Sequence, residues 1–122
     1  MIILELHVDL HAHSGYAGGV GRISLQDLAR AMPLKGLNVY ATGDCLHPEW
    51  NSHLKDVLEM DGGFYRLRGC DYDAHFVLQT EIILTTKLRE GRKSVHTVLL
   101  FPNFEAVDDV VAMMEKWGVK NT

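Results

Sequence analysis

Apolar side chains occupy every even position of the first twelve residues, and from residue 5 on the odd positions are polar. The even positions are all apolar, and they are Ile2, Leu4, Leu6, Val8, Leu10 and Ala12. Because side chains alternate across a strand, this pattern predicts a strand over residues 1–12 with one apolar face. His11 and His13 follow Asp9 on the polar face, about 6–7 Å apart at the backbone. Two imidazoles at that spacing can bind one divalent ion, so the pattern favours a metal site over the alternative of two solvated histidines at the start of a loop.

Later segments carry apolar residues at helical or strand spacing. The predicted helices lie at 24–35, 48–60 and 104–117. The further predicted strands lie at 37–42, 64–67, 76–84 and 94–101. The first strand, first helix and second strand form a βαβ unit, which implies parallel strands. Asp44, just after the second strand, is therefore expected at the same sheet edge as His11 and His13.

Composition agrees with an ordinary globular domain. The chain has 122 residues, 47% hydrophobic and 23% charged, and a formal net charge of −4. This charge argues against a basic protein that coats nucleic acid, although a local basic patch stays open. Cys45 and Cys70 form no short spacing pattern, which suits a reducing compartment, so we expect a cytoplasmic protein. Seven histidines are the one compositional hint of metal binding.

Three later features carry possible chemistry. Glu81 interrupts an apolar strand, so either a cation or donor lies nearby or the residue faces water on an edge strand. His96 lies in the next strand, where a lone histidine is more often a satisfied core residue than a ligand. The turn at 86–94 holds four basic residues, Lys87, Arg89, Arg92 and Lys93. A solvated hairpin tip and a contact to a phosphate backbone are both compatible with this turn.

The order of these motifs resembles a known family. Asp9-Leu10-His11-Ala12-His13-Ser14 is followed by Thr42-Gly43-Asp44 with His47-Pro48, then by Thr80-Glu81-Ile82, and then by Val95-His96. This series is similar to the PHP (polymerase and histidinol phosphatase) superfamily and, within it, to the endonuclease Q branch. The resemblance implies an α/β fold, the N-terminal half of a distorted (β/α)7 barrel with mostly parallel strands. Because such a barrel needs about twice this length, residues 1–122 are expected to be the N-terminal part of a single PHP domain.

The resemblance also implies roles for individual residues. The implied metal ligands are His11, His13, Asp44, His47, Glu81 and His96. Asp44 and Glu81 are the implied catalytic residues, and Asp9 would orient a ligand. Cys45 stands where the family often has histidine, so that ligand is missing or is replaced by His47. Zinc or manganese is the implied metal cluster, and iron is also compatible.

The implied function is that of a metal-dependent phosphoesterase. We expect a DNA-repair endonuclease that hydrolyses phosphodiester bonds beside damaged or deaminated bases through a metal-activated water, with DNA as its partner. The fragment alone is expected to be inactive. Three alternatives stay open: a small-molecule phosphatase of the histidinol-phosphatase type, a metal-dependent amidohydrolase, and a non-catalytic metal-binding fragment.

Overall fold

Six strands and three helices form a mixed α/β fold in the part of the chain that the computed structural model describes, residues 4–17 and 23–119. In chain order the elements are β1 (Val8–Asp9), α1 (Leu25–Leu34), β2 (Val39–Ala41), α2 (Pro48–Val57), β3 (Leu58–Asp61), β4 (Phe64–Leu67), β5 (His75–Leu88), β6 (Gly91–Phe101) and α3 (Phe104–Lys116). Within these ranges no helix combines the length and the apolar character that a membrane crossing requires.

The sheet mixes parallel and antiparallel pairing. Its order is β1-β2-β5-β4-β3, and β6 pairs with β5. The β1–β2 and β2–β5 pairs are parallel, as the βαβ unit predicts, whereas β3–β4, β4–β5 and β5–β6 are antiparallel. The expectation of mostly parallel strands is therefore wrong. The reason is that Gly62-Gly63 and Arg89-Glu90 join their strands by tight turns, and a parallel crossover needs a far longer connection.

The first strand is much shorter than the sequence predicts. Only Val8 and Asp9 pair with β2, and residues 1–3 of the predicted strand lie outside the described residues. Most of the apolar face is exposed, since Leu4 is 78% exposed and Val8 45% exposed, although Ala12 is buried. Strict alternation predicts which side chains share a face, but burial also needs a partner element, which the described residues supply for Ala12 and not for Leu4 or Val8.

The helices largely follow the prediction. Ser24 caps α1, because its hydroxyl accepts the backbone N–H of Asp27 at 3.1 Å. The second helix ends at Val57 instead of residue 60, because Leu58 pairs with Leu67 and starts β3. Asn103 caps α3 by accepting the backbone N–H of Ala106 at 2.8 Å.

The core lies where the three helices pack on the sheet. Phe76 and Leu78 at the start of β5 are fully buried, and each helix buries apolar side chains around them. These helix residues are Leu25, Ala29 and Met32 of α1, Trp50 and Leu54 of α2, and Val107 of α3. The first part of β5 is thereby held rigidly, while its second half extends out of the core.

Gly43 lets the loop after β2 reach the histidine segment. A Cβ at this position would lie 2.8 Å from the carbonyl oxygen of Ala12 and from Cα of His13. The φ angle of Gly43 is 66°, a left-handed conformation that side chains disfavour. Two backbone segments can therefore touch here only because residue 43 has no side chain.

Gly43→Ala is expected to lower the free energy of unfolding by at least about 2 kcal/mol, because the new methyl group meets backbone atoms that cannot move aside. Urea unfolding followed by circular dichroism measures this loss. Gly36→Ala is the matched control, since Gly36 has a φ of 72° but open space around its Cα. That control should lose only about 1 kcal/mol. Equal losses in both variants would show that the close backbone contact contributes nothing.

Candidate metal centre

His11, His13 and Glu81 converge at one edge of the sheet. Nε2 of His11 lies 2.5 Å from Oε2 of Glu81, and Nε2 of His13 lies 3.2 Å from the same oxygen. Each of the three residues offers a ligand atom, and these atoms all lie within 4.8 Å of one another. The described residues thus place two imidazoles and a carboxylate where they could hold a metal ion.

His96 approaches the same carboxylate from the neighbouring strand. Its Nδ1 contacts Oε1 of Glu81, the oxygen that the other two histidines leave free. In the β5–β6 pairing Glu81 lies opposite Val98 and Ile83 lies opposite His96, so Glu81 and His96 are diagonal neighbours on one face. The alternative of a core histidine does not hold, because 57% of the His96 side chain is exposed.

The environment of Glu81 favours its charged form. Only 10% of its side chain is exposed. Hydrogen bonds from His11 and then from His96 lower the pKa of Glu81, against an opposing effect of desolvation. The expectation that a donor lies near this carboxylate is confirmed. An ionised carboxylate among three half-exposed imidazoles is a donor set that fits zinc, manganese or iron.

Gln79 connects β5 to the segments that follow β1 and β2. Its side chain is fully buried, and its Oε1 accepts the backbone N–H of Ala12 at 3.1 Å. Its backbone N–H donates to Oγ1 of Thr42 at 3.2 Å, and its carbonyl accepts the N–H of Cys45 at 3.1 Å. Sequence reasoning missed this role. The available signal was an amide inside an apolar strand, which implies a buried partner.

Asp44 bonds to the turn after the histidines. Its Oδ2 accepts the backbone N–H of Ser14 at 2.7 Å and the Ser14 hydroxyl at 2.5 Å. The Ser14 oxygen in turn accepts the N–H of Tyr16 at 3.1 Å. Asp44 is not part of the group formed by His11, His13 and Glu81. Its roles as ligand and catalytic residue therefore stay predictions.

The residues around Asp44 have different surroundings. His47 is half-buried, its ring centroid lies 4.4 Å from that of Tyr16, and its Nδ1 is buried with no hydrogen bond to the described residues. Its role as a ligand also stays a prediction. The Cys45 side chain lies in the core, away from the metal-capable group. Asp9 accepts the backbone N–H of His11 through Oδ1 at 3.2 Å, so it contacts the main chain of that histidine.

The four basic residues of the predicted turn lie at the far end of the β5–β6 hairpin. They are Lys87, Arg89, Arg92 and Lys93, and all are exposed. The interpretation as a hairpin tip is confirmed. Their contact with a phosphate backbone stays a prediction.

The geometry defines a mixed α/β chain with a His–Glu group that could hold a metal ion. In solved structures it is similar to endonuclease Q. A crystal structure of endonuclease Q with a 27-mer duplex substrate, which has an abasic lesion at the active site, matches with a TM-score of 0.72 and 30% identity. The lesion-specific endonuclease PfuEndoQ from Pyrococcus furiosus matches with the same values. Each match covers 92% of this chain and 26% of the solved chain.

A curated relative matches over the same share of this chain but over a smaller share of its own length. An uncharacterized protein of Methanocaldococcus jannaschii is 30% identical over 113 residues, which is 92% of this chain and 12% of that protein. No protein-family model matches the chain. The chain therefore resembles a fragment of endonuclease Q and spans about a quarter of its length.

Cys45 is expected to be inert to thiol reagents in the folded protein. Burial, with a smaller contribution from the charge of Asp44, raises the pKa of its thiol to about 12. At pH 8 about one molecule in ten thousand would carry the thiolate. Ellman's reagent should therefore label one thiol in the native protein, at half-buried Cys70, and two in guanidinium chloride.

Cys70→Ser is the control for this assignment, since it should leave no rapidly labelled thiol in the native state. Rapid labelling of that variant would show that the Cys45 side chain is accessible, contrary to its position in the core.

Proposed function

We propose that this chain forms the metal-binding part of a PHP-type, metal-dependent phosphodiesterase that cuts DNA beside a lesion. The observation that most directly supports this proposal is that His11, His13 and His96 surround Glu81 in a fold similar to that of endonuclease Q, at 30% identity. The order of the sequence motifs supports the PHP superfamily and, with it, a barrel of which this sheet would be a part.

Four side chains would hold the metal: His11, His13, Glu81 and His96. Glu81 is suited to bridge two ions, because its two oxygens already face different histidines. Asp44 and His47, on the loop that touches the histidine segment, are proposed as further ligands. A bound divalent ion would lower the pKa of water and neutralise charge on a phosphate. We propose zinc or manganese, since the donor set mixes imidazole with carboxylate.

The protein groups have their own tasks in this scheme. Gln79 fixes the backbone between the two histidines, and Asp9 holds the main chain of His11. The Glu81 carboxylate stays charged through its hydrogen bonds and so attracts a cation. The chain spans 26% of the solved endonuclease Q chain. We propose that this chain can bind metal by itself, whereas cleavage of a DNA strand needs groups from other parts of such a protein.

Metal content tests the first part of the proposal. The chain, purified without a histidine tag, is expected to carry near-stoichiometric zinc or manganese by mass spectrometry. Glu81→Gln should lose at least about tenfold in metal affinity, because it removes the only carboxylate of the group in the described residues. His7→Ala is the matched control, since the His7 ring pairs with Glu5 outside the group. Metal-free wild-type protein, or equal metal in wild type and Glu81→Gln, would contradict the proposed site.

Cleavage tests the second part. A chimera in which this chain replaces the matching quarter of endonuclease Q is expected to nick a duplex that carries an abasic site or a deaminated base. Glu81→Gln in the chimera should abolish nicking, and His7→Ala should leave it unchanged. Hydrolysis of a small phosphate monoester without nicking of the duplex would favour the small-molecule phosphatase instead.

A further inference from the structure

The β5–β6 hairpin carries the candidate metal centre at one point and basic side chains at its end. The two strands pair continuously from Leu78 opposite Phe101 to Leu88 opposite Gly91. From residue 83 to residue 96 every side chain is exposed, so this part projects beyond the helices as an arm. We call residues 83–96 the arm.

The pairing register determines which basic residues share a face with the metal centre. Side chains alternate along β5, so Lys87 lies on the same face as Glu81. Arg92 lies directly opposite Lys87 and therefore also shares this face with His96. The hydroxyl groups of Thr85 and Ser94, 3.0 Å apart, lie between the two ends of this face. We call it the catalytic face.

The other face of the arm has a different character. Lys93 pairs opposite Thr86, and Leu84 pairs opposite Val95. Leu84 is 58% exposed and Val95 is 60% exposed. Lys93 therefore points away from the metal centre. This face also carries the exposed Leu88, whereas the catalytic face of the arm carries one large apolar side chain, Ile83, which is 59% exposed and lies opposite His96.

The charges of Lys87 and Arg92 are unbalanced. Like charges directly opposite each other destabilise a pair of strands. Among the described residues no carboxylate lies within 4.0 Å of either side chain, although the whole chain has a net charge of −4. Two cations held together without an acidic partner form a site for an external anion.

The spacing between the two ends of the catalytic face suits a polyanion. Lys87 is six residues from Glu81 and Arg92 is four residues from His96, which corresponds to about 13–20 Å along the strands. At a rise of about 3.4 Å per nucleotide, this distance covers about four to six nucleotides of a duplex. One linear polyanion could therefore contact both ends of the face.

We propose that the catalytic face of the arm binds the phosphate backbone of duplex DNA, with Lys87 and Arg92 on phosphates a few nucleotides from the candidate metal centre. This inference rests on the proposed function and names where the DNA lies. An anionic membrane is the less favoured partner, because three of the four large exposed apolar side chains of the arm, Leu84, Leu88 and Val95, lie on the face opposite to this cation pair.

Fluorescence anisotropy with a lesion-free 20-base-pair duplex in EDTA tests the inference without cleavage. Lys87→Thr with Arg92→Thr should weaken binding and reduce the slope of log K against log salt concentration by about 2, close to 0.9 for each phosphate contact. Lys93→Thr removes one charge from the opposite face and is the matched control, so its slope should stay that of the wild type. All three proteins should unfold at similar temperatures, because these side chains are exposed.

Each other outcome has a defined meaning. An unchanged slope in the double variant, or an equal decrease in Lys93→Thr, would overturn the assignment to the catalytic face. Tighter binding to vesicles with phosphatidylserine than to the duplex would overturn DNA as the partner.

If the wild type lacks metal but the double variant still loses salt dependence, the arm binds DNA and the proposed metal function fails. If metal binding is intact and the slope is unchanged, only the inference about the arm fails.

Discussion

The site depends on one buried amide. Gln79 of β5 is fully buried beside the segments that follow β1 and β2, and its side-chain oxygen accepts the backbone N–H between the two histidines. Its main chain binds the loop that contains Gly43, and that loop touches the histidine segment at a point where no Cβ fits. A buried polar group without its partners is costly, so these bonds hold three separate segments in one arrangement. Because Glu81 lies two residues further along β5, the hydrogen bonds of Gln79 also fix the position of Glu81 relative to the two histidines.

The centre places one carboxylate among three imidazoles. Each oxygen of Glu81 has at least one imidazole contact, and the side chain is mostly shielded from water. Protons and metal ions compete for the same lone pairs in such a cluster. The half-exposed histidine rings leave a path for an ion to enter, whereas the carboxylate is held by the rigid half of β5. The arrangement combines a Glu81 carboxylate that is mostly shielded from water with three imidazoles that are accessible to solvent.

The sequence predicted local structure better than it predicted which distant segments contact each other. The βαβ unit, the helices and the hairpin turn followed from short-range spacing, and the alternation around His11 correctly indicated a shared face. The predicted extent of the first strand was wrong, because alternation does not reveal how much of the segment pairs with a neighbouring strand. The prediction of a mostly parallel sheet was wrong, because the tight turns at Gly62 and Arg89 join antiparallel strands, contrary to the barrel expected from the family. Gln79 was missed because its partners are far apart in sequence.

The two faces of the arm limit how its length can change during evolution. A single inserted or deleted residue in either strand would shift the register and turn its side chains to the other face. A matched pair of residues in each strand would move the basic tip by about 7 Å and keep its orientation. Related chains that conserve the function of this arm should therefore differ in hairpin length by even numbers of residues per strand. Selection would therefore act on whether the difference in residues per strand is even or odd, more than on the length of the hairpin.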